Sequence, residues 1–296
     1  METYRHIDAK PLTVNVGAEI SDVDLRQPSP EAQADIQQTL IDRKVIIFRN
    51  QDLSPHQYAE FMRIFGTPVK EDMAVDDGHP AEVGAIHIRP DEQQRINFWH
   101  MDHSFRATPS PKLSLYAKIL PDCGGDTLFA SLESAYDGLS ARTKDTIDGL
   151  WAIHKHTPTQ NSKRRYTKEQ FDKLAASEVR HPVVGYNPDN GRRFLFVNMP
   201  QYCRYIDGMV AAESEALLSK LYRHVQRPEF SLRLVWRPNT LVVWENSHCL
   251  HYPVADYFPS ERKLLRVSIQ GEAIKAVPSA AKGRDLTGTQ HHITAR

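Results

Sequence analysis

The sequence predicts a mainly β fold with flanking helices, an antiparallel sandwich or barrel. Three observations point there. Apolar runs of strand length outnumber helical patterns, they gather in the C-terminal half, and the helices between them show no regular β-α alternation, which argues against a doubly wound sheet. At 296 residues the chain exceeds a typical domain, but single β-rich domains reach this size. No linker, repeat or low-complexity segment divides it. We expect one domain over 1–276 and a polar tail over 277–296.

In chain order, 11–25 alternates loosely around Gly17 as short strands. Ser29-Pro30-Glu31 opens a helix with an N-cap serine, proline in the first turn and an acid beside it. Val45-Ile46-Ile47-Phe48 is continuous and apolar, suited to a buried strand. Ser54-Pro55 opens a second helix whose Tyr58, Phe61, Met62 and Phe65 share one face, and Gly66 stops it. Residues 67–95 are polar and irregular, and we expect a lid loop. Asn97-Phe98-Trp99-His100-Met101-Asp102-His103-Ser104 reads as a strand.

Strands follow at 112–120 and 126–129, separated by a Gly124-Gly125 turn. Helical patterns cover 132–150, with a break near Ser140, and 167–176. His181-Pro182-Val183-Val184 and Phe194-Leu195-Phe196-Val197 are strands joined by an Asn/Pro/Asp/Gly turn. A clear helix spans 211–225. Strands at 231–236, 240–244 and 264–270 close the domain.

Composition narrows the function. Lys+Arg and Asp+Glu balance at 37 each, so no global field calls for nucleic acid or a membrane surface. The first ten residues carry charges and no apolar stretch of the signal-peptide kind. No run approaches the ~20 apolar residues of a membrane helix. Three cysteines, Cys123, Cys203 and Cys249, stand far apart, which fits a reducing cytoplasm better than a disulfide framework. Fourteen histidines make metal binding worth testing. Lys163-Arg164-Arg165 reads as a solvated basic loop and His291-His292 as part of the tail.

The chemistry begins at His100-x-Asp102. Side chains two apart on a strand share a face, so an imidazole and a carboxylate form two corners of a metal site. A second histidine would complete the 2-His-1-carboxylate triad of non-haem Fe(II) oxygenases. His248 and His251 are both candidates. Arg262 and Arg266 then lie an even number of residues apart on an otherwise apolar strand, with Leu265, Val267 and Ile269 on the other face. A buried arginine needs an anion. An acidic side chain is one answer for each, and a carboxylate-bearing small molecule gripped bidentately is the other.

The order Trp99-His100-x-Asp102, a distant histidine, then an arginine resembles the Fe(II)/2-oxoglutarate-dependent dioxygenases of the taurine dioxygenase and chlorophenoxyacetate dioxygenase family. The likeness spans roughly 10–272 and includes Val16-Gly17-Ala18-Glu19-Ile20, Gly124-Gly125-Asp126-Thr127, Leu195-Phe196-Val197-Asn198, Trp244-Glu245-Asn246 and Asp256-Tyr257. It implies a double-stranded β-helix (jelly-roll) core. It implies His100, Asp102 and His251, not His248, as ligands of Fe(II), with 2-oxoglutarate and O2 as co-substrates. It places Thr127 and Arg262 on the distal carboxylate of 2-oxoglutarate, and Arg266 on an anionic group of the prime substrate. His103 and Tyr202 are candidates for the substrate pocket.

The resemblance implies hydroxylation of a small organic anion such as an aryloxyalkanoate, sulfonate or sulfate ester, with C–O or C–S cleavage where the hydroxyl falls beside a heteroatom. Taurine-specific members carry a histidine and a tyrosine just after the helix that ends at Gly66, where this chain reads Thr67-Pro68-Val69-Lys70-Glu71-Asp72-Met73-Ala74. A homo-oligomer is expected. The alternatives are a metal-dependent hydrolase or isomerase on the same scaffold, and a non-enzymatic ligand-binding jelly roll. Arg262 and Thr127 count against the former, and an intact triad against the latter.

Overall fold

The computed structural model describes residues 4–71, 75–94, 96–156 and 167–278. The basic run at 163–165, His291-His292 and all but the first two residues of the expected tail lie outside them.

The fold is mainly β with flanking helices. Its largest sheet has seven strands in the order β1 (Asp8–Pro11), β2 (Ala18–Ser21), β3 (Val45–Phe48), β13 (Leu241–Glu245), β5 (Lys112–Ile119), β15 (Arg262–Ser268) and β4 (Gly84–Ile88). All neighbours are antiparallel except β2 and β3. A second sheet holds β12 (Ser231–Leu234), β6 (Thr127–Ser131) and β14 (Cys249–Pro253). Small sheets of β11-β7-β8 (Cys203–Ile206, Trp151–Lys155, Glu178–Pro182) and β10-β9 (Arg193–Leu195, Val184–Tyr186) extend the structure.

Alternation along the strands sorts the core into layers. On β13, Val242 and Trp244 join Val45 and Ile47 of β3, Leu113 and Leu115 of β5, Phe129 of β6, Leu232 and Leu234 of β12, Cys249 of β14 and Leu264 of β15 in the layer between the two sheets. Leu241 and Val243, one step out of phase, face the opposite way with Ile46, Phe48, Leu265 and Val267, against the N-terminal helices. Ala130 and Leu250 turn outward from the second sheet onto a third layer built with helix Ala211–Val225.

Local chemistry explains the helix ends. Ser29 caps Pro30–Arg43 by accepting from the Ala32 amide, and Lys44 ends it in the left-handed region at φ 65°. Ser54 and Gln57 form a reciprocal capping box on Pro55–Met62. The expected helix over 132–150 breaks at Ser140 as the pattern suggested, into Leu132–Asp137 and Ala141–Ile147. No helix among the described residues is long and apolar enough to cross a membrane.

Two expectations need correction. The stretch 67–95 is not wholly irregular: Gly84–Ile88 is β4, paired with β15 along its length. The prolines and charges on either side hid a short edge strand. The second is 97–104, which is not a strand. Only His100 pairs, in an isolated bridge to His251, and the chain then turns through His103 at φ 64°. The apolar residues Trp99 and Met101 are buried as loop residues within the third layer. β7 and β11 were also unforeseen, because their mixed sequences lack a clean two-residue period.

Lys44 and Glu133 form a buried ion pair at 2.8 Å, with side chains 1% and 0% exposed. Asn187 donates to Glu133 at 3.0 Å, and Arg192 approaches the second carboxylate oxygen at 3.1 Å. Burial alone would raise the Glu133 pKa, but Lys44 above all holds it below the usual range. We expect Lys44→Met to cost about 3–5 kcal/mol in denaturant unfolding, because it strands a buried carboxylate. Glu60→Ala, which breaks an exposed pair with Arg63, should cost under ~1 kcal/mol.

His154 is buried with neither ring nitrogen hydrogen-bonded among the described residues. Burial, with His181 beside it, holds its pKa well below the ordinary value. It stays neutral when folded, whereas the unfolded chain takes up the proton at about pH 6.5. The linked stability is therefore whole above about pH 6.5 and falls as pH drops below it. His154→Leu should raise stability by roughly 1–3 kcal/mol and flatten the acid limb of a stability-versus-pH profile.

Candidate metal and co-substrate site

Alternation also places the polar residues. Thr127 shares the Phe129 face of β6, and His251 the Cys249 face of β14. Arg262 and Arg266 share the Leu264 face of β15. All four therefore enter the layer between the two sheets. The 97–104 turn closes one side of it. His100 donates its amide to the His251 carbonyl at 2.9 Å and receives the His251 amide at 2.8 Å.

His100, Asp102 and His251 come together there, with one ligand-type atom from each within 4.8 Å of the others. His100 Nε2 lies 3.7 Å from Asp102 Oδ1, and the two imidazole centroids are 4.1 Å apart. The Phe98 carbonyl, which can only accept, sits 2.9 Å from His100 Nδ1. It puts the proton on Nδ1 and leaves Nε2 a lone pair. His251 Nδ1 is buried without a hydrogen-bond partner among the described residues. Burial, then His100, pushes the His251 pKa down to about 3, so the His251 ring is a neutral donor at pH 7.

Burial works to raise the Asp102 pKa. Arg266, the largest opposing influence, overcomes this and holds the carboxylate ionised. Two imidazole nitrogens and one carboxylate suit a divalent cation. His248 points elsewhere: its ring packs at a tilt on Phe194, with centroids 4.2 Å apart, and lies 3.4 Å from Glu245.

Arg262 is 3% exposed, and its Nε and Nη2 are buried without partners. Among the described residues it forms no ion pair within 4.0 Å, so no acidic side chain accounts for its burial. Trp236 and Tyr257 flank it at 5.8 and 5.7 Å. Burial lowers its pKa, partly offset by Tyr257 and Asp126. Gly125, at φ 69°, lets the chain pass here, since a Cβ would stand 3.2 Å from Arg262 Cδ and Nε. The Trp236 indole donates to Thr127 Oγ1 at 3.1 Å, leaving the Thr127 hydroxyl hydrogen to be donated in turn.

Arg266 is different. It lies 3.3 Å from Asp102 Oδ2, 3.8 Å from Glu71 Oε1 and 3.4 Å from His103 Nε2. The acidic-partner reading therefore describes Arg266 and not Arg262. His103 is inside the site, held by Ser110 Oγ at 3.0 Å. Tyr202 stands further out, packed on Phe105 and His156, and reaches His103 through the Phe105 ring.

Sequence reasoning gave no role to Asn198 and Asn246, which hold the ligand turn. Asn198 accepts from the Met101 amide at 3.1 Å and donates to its carbonyl at 2.9 Å. Asn246 does the same one residue on, at 3.3 and 2.9 Å to Asp102. Both are buried. The available signal was an asparagine at the end of an apolar run, directly after Val197 for Asn198 and one acid beyond Trp244 for Asn246.

An unpaired buried guanidinium is a cost to the ligand-free protein. Arg262→Met should therefore raise its stability by about 1–4 kcal/mol in thermal or denaturant unfolding. Loss of stability would mean that Arg262 has a structural partner.

Comparison with known proteins shows the family. The family model described as taurine catabolism dioxygenase TauD, TfdA family matches residues 8–268. An alkylsulfatase of Acinetobacter baylyi is 31% identical, over 90% of this chain and 86% of its own length. An alpha-ketoglutarate-dependent sulfate ester dioxygenase of Pseudomonas putida is 32% identical, over 90% of each. The crystal structure of a taurine dioxygenase from Burkholderia xenovorans superposes with a TM-score of 0.77 at 32% identity, covering 90% of this chain and 92% of that one. With the matched family model spanning nearly all of the described chain, this protein belongs to the taurine catabolism dioxygenase TauD, TfdA family of iron- and 2-oxoglutarate-dependent oxygenases.

Proposed function

We propose that His100, Asp102 and His251 hold Fe(II), that Arg262 and Thr127 receive the distal carboxylate of 2-oxoglutarate, and that a small organic anion is hydroxylated beside Arg266. The observation that carries the reading is Arg262, a buried charge in the same layer as the triad whose Nε and Nη2 meet no acceptor among the described residues. A dicarboxylate co-substrate supplies the missing partner. A hydrolase or isomerase would have no use for it. The two facing sheets and their inward polar residues support a jelly-roll core, in one domain reaching residue 276.

Bound Fe(II), with 2-oxoglutarate and O2, supplies the chemistry: oxidative decarboxylation to succinate and CO2 coupled to hydroxylation of a substrate C–H bond. The chain's own groups orient and shield it. The Phe98 carbonyl and the two asparagines fix the ligand turn. The buried His251 ring, neutral at pH 7, can donate a lone pair without first losing a proton. Trp244 and Phe129, with centroids 5.3 and 6.3 Å from the His251 ring, exclude water from its back. The Arg262 guanidinium can grip a carboxylate in the plane of its fork, and the Thr127 hydroxyl adds one donor.

For the substrate, the sulfate ester and taurine relatives support a small sulfur-containing anion, and the stretch 197–204 is closer to aryloxyalkanoate-type members. His103 and Arg266 line the substrate side, with Tyr202 behind Phe105. The absence of both taurine-type residues from the sequence between Thr67 and Ala74 points away from taurine itself. Three free cysteines support a reducing, cytoplasmic setting.

Anaerobic Fe(II) plus 2-oxoglutarate should produce a weak visible charge-transfer band, and air should then yield succinate. Arg262→Met should weaken 2-oxoglutarate binding by about 2–5 kcal/mol, and His251→Ala should abolish the band. A wild-type protein without the band, or an Arg262→Met variant that binds 2-oxoglutarate normally, would overturn the reading.

A further inference from the structure

β15 offers two guanidiniums to the same layer, and they differ. Arg262 has no acidic partner within 4.0 Å among the described residues. Arg266 is 4% exposed and meets Glu71, itself only 7% exposed, as well as Asp102. Ser268 donates its hydroxyl to Glu71 Oε1 from the same strand. The Glu71 carboxylate therefore lies between the Arg266 guanidinium and a neutral donor, both from β15.

The main chain around Glu71 is fixed as well. The Val69 amide donates to Ser268 at 3.0 Å, and Gln270 donates to Thr67 at 2.8 Å. Pro68 bridges Ile269, and the Glu71 amide donates to Ala81 at 3.0 Å. This segment is laced along the edge of β15, so it delivers the carboxylate to Arg266 as part of the fold. A solvated side chain would instead be free to fold in and out.

We propose that Glu71 is a specificity-determining residue: it is the built-in counter-ion of Arg266 and weakens the hold of that guanidinium on an anionic substrate. This rests on the reading of Arg266 as the substrate-facing charge. An incoming sulfonate or carboxylate finds the guanidinium already countered. It must share Arg266 with Glu71 or displace it, and either way it meets a negative charge a few ångströms away. At the effective dielectric of such sites that repulsion depresses affinity on the order of tenfold to a hundredfold. An uncharged head group of the same shape escapes the penalty. Anions that bind well must then draw their affinity from an apolar body.

The test uses a matched pair, hexanesulfonate and the uncharged hexanesulfonamide. Each is titrated calorimetrically and by its effect on the anaerobic Fe(II)–2-oxoglutarate band. Glu71→Gln keeps the volume and the acceptor for Ser268 while removing the charge. We expect it to tighten hexanesulfonate binding about tenfold or more and to leave hexanesulfonamide within about twofold. Ser268→Ala, which loosens the carboxylate, should shift the sulfonate in the same direction by less, and it decides the matter if Glu71→Gln does not fold. Equal changes for both probes, no change, or weaker sulfonate binding would overturn the proposal. If the band forms and air yields succinate while the sulfonate is indifferent to both variants, only the role of Glu71 fails. If the band never forms in the wild type, the oxygenase reading fails first.

Discussion

The pair of backbone hydrogen bonds between His100 and His251 is the constraint on which the rest of the site depends. They join a turn early in the chain to a strand near its end. Two sheets could pack without them, since the apolar layer between β3, β5, β13 and β6, β12, β14 is continuous. What the bridge adds is registration. It sets two imidazoles against each other at the mouth of that layer and lets the chain turn at once, so that Asp102 enters from the same side. A slip of one residue in β14 would send His251 to the outer face and Leu250 inward.

Charge is distributed around this point with economy. The Lys44–Glu133 pair is satisfied entirely within the protein and ties the end of the first helix to the start of helix Leu132–Asp137. Arg266 is ion-paired with Asp102 and Glu71 within the site. Arg262 has no ion pair within 4.0 Å among the described residues, and its Nε and Nη2 are buried without a hydrogen bond; it shares the Trp236 indole with Thr127. Glycine at 125 gives this guanidinium room, since any larger residue would press on it.

Much of this was legible in the sequence because it follows short-range rules. The serine-proline starts at Ser29 and Ser54, the apolar run at Val45, and the phase of Arg262 and Arg266 against Leu265 and Val267 all have local causes. His100 and Asp102 do converge, although the predicted strand beneath them is a turn: Trp99 and Met101 are apolar because the loop is buried, not because it pairs. β4 escaped notice because an edge strand has one neighbour and tolerates charge. The roles of Asn198 and Asn246 depend on partners about a hundred residues away or more, and no periodicity records that. The partnering of Arg266 by Glu71 is likewise set by how 67–71 lies along β15.

The two asparagines have a consequence for how such a centre can be moved or built. Each grips a peptide group of the ligand turn and neither touches the imidazoles it serves, so the shape of the turn is written elsewhere in the chain. Grafting the tripeptide His100-Met101-Asp102 onto another sandwich would transfer the donors without the template that aims them. The transferable unit is discontinuous: three ligands, two distant amides and the strand that carries His251. Conversely, Met101 and its neighbours can drift in identity while the centre holds its form, provided the amides stay.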